Sequence, residues 1–183
     1  MSHILLTILL LASQVRTTGN APAMPYVDKG ACPFECCTYG KWTARHETTV
    51  VADHRPGSPA AFRLKAGEPV TADYGFVVTT RPGRIRATSP VTIGEGKDRT
   101  SLQPGDVVYV LHYVGEGNDL LWFKGRELSE ELHTDRPGPI EHWKGLELLE
   151  TPTTEWWVRM KNSAGQVGWT QHADDFEGAD ACG

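Results

Sequence analysis

No stretch of the chain concentrates lysine and arginine. The 183 residues hold 23 acidic and 18 basic side chains, a net charge of −5. A nucleic-acid surface needs a clustered basic face, so that class of partner is not expected. Long apolar runs are also missing after the first dozen residues, which leaves no membrane span in the mature chain. Histidines are scattered, at His46, His54, His112, His133, His142 and His172, and none stands in His-x-x-x-His or His-Glu-x-x-His spacing. There is no Gly-x-Ser-x-Gly elbow, no phosphate loop and no Cys-x-x-Cys-His haem site. The chain therefore carries no signature of a cofactor, and none is expected.

The apolar run that does exist is Ile4 to Ala12. It is too short to cross a bilayer and fits the core of a secretory signal, with Ala21-Pro22-Ala23 as a small-x-small cleavage site. Residues 1–23 are thus expected to be a signal peptide, and the protein exported to the periplasm or beyond. Cleavage there removes Arg16 and takes the net charge from −5 to −6. A buried helix or strand is the structural alternative for the run.

Cysteine is sparse and confined to the ends. Cys32, Cys36 and Cys37 open the mature chain and Cys182 is next to last. An even number in an exported protein points to disulfides. Vicinal Cys36 and Cys37 are poorly placed to pair with each other, so one bond is expected to join the first cluster to Cys182. Cys-x3-Cys-Cys also lacks the paired Cys-x2-Cys of structural zinc. No metal site is expected.

Six tryptophans, 19 glycines and few helical periodicities indicate an all-β protein rich in turns. Residues 24–41 form a Cys-rich lead-in without clear period. Strand patterns follow at Thr48 to Ala52, Ala61 to Leu64, Phe76 to Thr80, Val107 to Val114 and Leu120 to Gly125. Arg126 to Leu132 reads as the one short helix, stopped by Pro137-Gly138-Pro139. The chain divides on this reading into a first β lobe over 42–125 and a second β segment over 126–183.

Two patterns carry more. Leu64-Lys65-Ala66-Gly67-Glu68-Pro69-Val70 and Leu102-Gln103-Pro104-Gly105-Asp106-Val107-Val108 share Leu-x-x-Gly-acid-x-Val, 38 residues apart. This is either one common turn used twice or a sign of two related small barrels. Trp156-Trp157-Val158-Arg159-Met160-Lys161 and Val167-Gly168-Trp169-Thr170 flank Asn162-Ser163-Ala164-Gly165, a turn rich in residues that tolerate positive φ. They read as a β-hairpin with tryptophan on both arms. Strand alternation sends Trp156 and Trp157 to opposite faces, so one ring is expected to pack inside.

These residues resemble the bacterial SH3-like (SH3b-type) domains of exported proteins. Leu64-x-x-Gly67-x-x-Val70 is similar to that family's Leu-x-x-Gly-x-x-Val turn. Trp157-x-x-Met160 with Gly165-Gln166-Val167-Gly168-Trp169-Thr170 is similar to its Trp-x-x-Val and Gly-x-x-Gly-Trp-Val end, with Met160 and Thr170 as departures. About 85 residues separate the two parts, which favours an insertion or two lobes over one barrel. The resemblance implies SH3-like small β-barrels and a non-catalytic envelope binding or scaffold protein. Its partner would be cell-wall glycan or peptide, or another envelope protein. Trp156, Trp157 and Trp169 are the candidate binding residues. The alternative is a small envelope hydrolase with a histidine-based site, for which His133-Thr134-Asp135 is the one local pairing of note.

Overall fold

A computed structural model of the protein describes residues 21–132, 134, 137–140 and 143–182. The expected signal peptide lies almost entirely outside the described residues, as do His133, Asp135 and His142. In chain order the strands are β1 (Tyr26–Lys29), β2 (Gly40–Ala44), β3 (Thr48–Val51), β4 (Ala60–Leu64), β5 (Pro69–Arg81), β6 (Gly83–Ala87), β7 (Val91–Ile93) and β8 (Thr100–Leu102). They continue with β9 (Val107–Gly115), β10 (Asn118–Phe123), β11 (Arg126–Glu131), β12 (Gly138–Pro139), β13 (Leu146–Glu150), β14 (Thr153–Asn162), β15 (Val167–Thr170) and β16 (Phe176–Glu177). The only helical pieces among the described residues are two 3₁₀ turns, Gly96–Asp98 and Ala173–Asp175. The protein is all-β, as composition indicated. No helix among the described residues is long and apolar enough to cross a membrane.

The Leu-x-x-Gly-acid-x-Val recurrence is structural. In the first copy the Gly67 amide donates to the Ala44 carbonyl (2.8 Å), the Ala44 amide to Glu68 O (3.0 Å), and the Glu68 carboxylate accepts from the Lys65 amide (2.8 Å). In the second, Gly105 donates to Ala87 O (2.8 Å), Ala87 to Asp106 O (2.9 Å), and Asp106 accepts from the Gln103 amide (2.8 Å). Gly67 and Gly105 both adopt left-handed φ, 80° and 93°, where a side chain is strained. The acid folds back on its own turn and the glycine clips that turn to a preceding strand.

The strands around each copy follow one path. A short strand (β2 or β6) leads through a hairpin (β3–β4 or β7–β8) and the shared turn into a long strand (β5 or β9). That long strand pairs back on the short one. β9 then continues directly through β10 and β11, and β13 returns to pair with β6. After β5 the same continuation is delayed: β14 and β15 supply it, and β16 returns to β2. Residues 83–150 therefore interrupt the first path between β5 and β14.

Pairing sorts the chain differently from a division at residue 125. The sheet of order β16-β2-β5-β14-β15-β3-β4, with β1 added on β5, curls into a half-barrel. A six-stranded sheet has the order β11-β10-β9-β6-β13-β12, and β7 pairs with β8. Each large sheet covers its own apolar cluster. Trp42, Val50, Leu64, Val158 and Met160 fill one; Ile85, Leu102, Val110, Leu121 and Phe123 fill the other. Each such side chain contributes about 1.5–3 kcal/mol by leaving water.

The helix expected over Arg126 to Leu132 is instead strand β11. Lys124 (φ 49°) and Gly125 (φ 80°) form a two-residue turn with both φ positive, which matches the twist of a hairpin. β11 then pairs residue for residue with β10, and Leu128 is buried opposite Leu121. Tertiary pairing overrides the helical leaning of its Glu and Leu residues. The lead-in likewise holds a strand, β1, that its irregular sequence conceals.

Two disulfides are present, Cys32–Cys37 and Cys36–Cys182. The vicinal pair does not bond to itself, and the long bond to Cys182 forms as expected. It spans 146 residues against 5 for the other. In the chain-entropy account the longer loop stabilises by about 5 kcal/mol and the shorter by about 2. Replacing Cys36 and Cys182 together by serine is expected to lower the unfolding free energy by about that 5 kcal/mol. Urea denaturation checks it, and non-reducing peptide mapping should recover the two bonds.

Candidate binding groove

β14 is the central strand of the half-barrel, paired with β5 on one side and β15 on the other. Its alternation places Trp156, Val158 and Met160 against the first core. Trp157 and Arg159 stand on the outer face. The expected separation of the two adjacent tryptophans is observed.

Trp156 is half-buried. Its ring meets Phe34 edge-on (5.6 Å between centroids) and Trp42 (6.3 Å), and its indole N–H donates to Ala31 O at 3.2 Å. Phe176 from β16 packs on Trp42 at 5.9 Å. Phe34, Trp156 and Phe176 floor an open groove of about 980 Å³, with Trp42 buried behind them. Pro33 of the lead-in stands on one wall and Gly178 to Asp180 of the tail on another; Arg45, Gln171, Ala173, Asp174 and Glu177 complete the lining. The walls are stitched together. Besides Cys36–Cys182, the Thr38 amide donates to Ala179 O (2.9 Å) and the Ala181 amide to Cys36 O (2.9 Å). Gly178 has φ 90°, and a Cβ there would lie 2.8 Å from Lys41 O, so the tail can run this close only with glycine.

On the outer face Trp157 is only 4% exposed. It and Trp169, which is half-buried, both meet the loop between β3 and β4. In that loop His54 lies edge-on to Phe76 (5.1 Å), Trp169 (5.2 Å) and Trp157 (6.4 Å). Ser58 Oγ accepts from the Asp53 amide (3.0 Å) and Pro59 O from the Ala52 amide (2.8 Å), which closes the loop. A small cleft of about 170 Å³ remains beside Trp157, Trp169, Arg55 and Gln171. The three tryptophans named from sequence therefore do not converge. Trp156 lines the large groove, whereas Trp157 and Trp169 line the small cleft together. Phe34 and Phe176, which complete the large groove, carry no local signal in the sequence.

The groove has the means to hold a ligand by ring faces, carboxylates and one guanidinium. Among the described residues, His46, His54 and His112 each meet a carboxylate. His46 meets Asp175 (3.1 Å), but the Thr48 hydroxyl also donates to Asp175 (2.7 Å) rather than to the histidine. His54 pairs with Asp53 at 3.1 Å. His112 is buried, its Nδ1 2.7 Å from Tyr113 O and its Nε2 2.9 Å from Asp28. Through these two contacts the ring fastens β9 to β1. All four cysteines are in disulfides, which leaves no thiolate for catalysis or for a metal beside Asp180.

Two phenols support the lead-in. Burial, then the hydrogen bond to Glu127 (2.8 Å), pushes the Tyr26 hydroxyl far above its ordinary value. Tyr39, which donates to Ala31 O behind Trp156, is raised chiefly by burial, against a smaller opposing contribution from Trp156. In the unfolded chain both would ionise near pH 10. Their stabilisation is therefore complete below about pH 10 and is lost as pH climbs toward the raised folded values.

No family model matches the chain, and comparison with curated proteins and with solved structures returns no match.

Two outcomes are expected. Alkaline titration followed by tyrosinate absorbance should show two of the five tyrosines ionising late, together with unfolding. Trp157→Ala should cost about 3–5 kcal/mol in urea denaturation, as for a large side chain removed from a packed site.

Proposed function

We propose that this is an exported, non-catalytic binding or scaffold protein whose groove recognises cell-wall glycan or peptide. The observation that carries the reading is the half-exposed ring of Trp156 at the floor of a groove about 980 Å³ in volume, held open between two disulfide-linked walls. Aromatic faces of this kind suit both sugar rings and peptide side chains. Walls fixed in advance spare a ligand the entropy of ordering them.

The architecture we propose is two SH3-like units, the second inserted in the first. Support comes from the twice-used strand path, the matching hydrogen bonds of the two Leu-x-x-Gly-acid-x-Val turns, and the tryptophan hairpin. In each path the last strand pairs with the first short one, which is how a small barrel limits its open edges. Export is supported by the two disulfides, which persist in oxidising compartments. The apolar run at Ile4 to Ala12 adds to that reading.

Purified cell wall should retain the protein in a pull-down. Trp156→Ala should lower retention roughly tenfold, about 1.4 kcal/mol, as for one lost ring face. Val167→Ala, at the far end of the hairpin, should leave it unchanged. A loss confined to Trp169→Ala would move the site to the opposite face. Absence of retention on every wall fraction would overturn wall recognition.

A further inference from the structure

Given that reading of the groove, we infer that it takes a peptide through a primary ammonium group at the end of a hydrocarbon stem, as in a lysine side chain. The apolar and the charged parts of the groove are separated by depth. Phe176 is buried and Phe34 and Trp156 half-buried at the floor, whereas Asp174, Glu177 and Asp180 are exposed at the rim. The lining thus carries three carboxylates against one guanidinium.

That guanidinium is already engaged. Arg45 donates through Nε to Phe176 O (3.0 Å) and reaches Glu177 at 3.7 Å. The Asp180 carboxylate accepts from the Cys182 amide at 2.8 Å. Asp174 sits in the 3₁₀ turn Ala173–Asp175, and among the described residues its carboxylate has no ion-pair partner. The rim therefore keeps an excess of negative charge with acceptor capacity to spare.

Exposed carboxylates alone hold a cation weakly, because water screens them. The floor supplies the remainder. A methylene stem can lie across Phe34 and Trp156 while its charged tip reaches the rim, the arrangement long basic side chains adopt on apolar surfaces. An ammonium near the indole face gains further from the ring quadrupole. An amino sugar matches less well, since its ammonium is attached directly to a ring covered in hydroxyls and brings no apolar stem to the floor. A neutral or acidic peptide would leave the rim uncompensated.

The test uses the full, disulfide-intact protein. Acetyl-Ala-Lys-Ala-amide, the same peptide with its lysine Nε-acetylated, and glucosamine are titrated separately, with tryptophan fluorescence and calorimetry as readouts. The amine peptide is expected to bind at least tenfold more tightly than the acetylated one and than glucosamine. Added salt should weaken it. Asp174→Asn combined with Glu177→Gln should lower its affinity roughly tenfold, with far-UV circular dichroism unchanged; Asp174→Asn alone should lower it in the same direction. Equal binding of the two peptides, preference for glucosamine, or no binding of the amine peptide each overturns the inference. Retention on cell wall is measured in parallel. If the wall still holds the protein while the amine peptide fails, the ammonium inference falls and the wider binding reading stands; if the wall also fails, both fall.

Discussion

The ladder between β5 and β14 is the constraint on which the rest depends. It runs from Thr153 opposite Arg81 to Asn162 opposite Val70. It joins two segments that the chain separates by the whole of β6 to β13. Every later element of the half-barrel is placed from it, since β15 pairs only after β14 is set and β3 pairs on β15. It also decides the chemistry of both faces. One residue of slip would exchange Trp156 with Trp157, emptying the groove floor and exposing a ring now buried. Gly75 on β5 helps hold that register: a Cβ there would lie 2.9 Å from the Trp156 nitrogen and 3.0 Å from the Trp157 carbonyl.

The disulfides act on a different scale. Cys36–Cys182 does not reach the cores; it draws the first and last segments of the described chain together over the end of the half-barrel. The ladder supplies the floor and the covalent bond the walls. Neither suffices for a groove. This division of labour explains why turn-rich, weakly patterned ends accompany well-patterned strands. The ends need no strong propensity of their own where a covalent bond and backbone pairing with the tail hold them.

What the sequence makes legible follows the range of the interaction. The tryptophan hairpin, the two glycine turns and most strands are written in periods of two and in residues that accept positive φ, both local. The separation of the hairpin from Leu64 to Val70 registers that something intervenes, and the structure places the second strand path there. β11 is misread because Glu, Ser and Leu favour a helix in isolation and only pairing with β10 reverses that. The groove is the least legible part. Phe34, Trp156 and Phe176 come from three distant segments, none of which marks its neighbours. Likewise, nothing in the linear chain selects Cys32 as the partner of Cys37.

Arg81 and Thr153 face each other across one ladder step. The points at which residues 83–150 leave and rejoin the half-barrel are therefore no farther apart than neighbouring strands, roughly 5 Å. A chain cut at these points needs only a tight hairpin turn to be closed again. Likewise, the excluded segment begins and ends on β6 and β13, which pair with each other. The junction has the geometry of a socket, and what occupies it also grips the half-barrel from the side, through His112 on Asp28, Glu127 on Tyr26 and Leu111 on Thr79. The groove is lined by residues from outside the socket, with Trp156 three residues along β14 from Thr153.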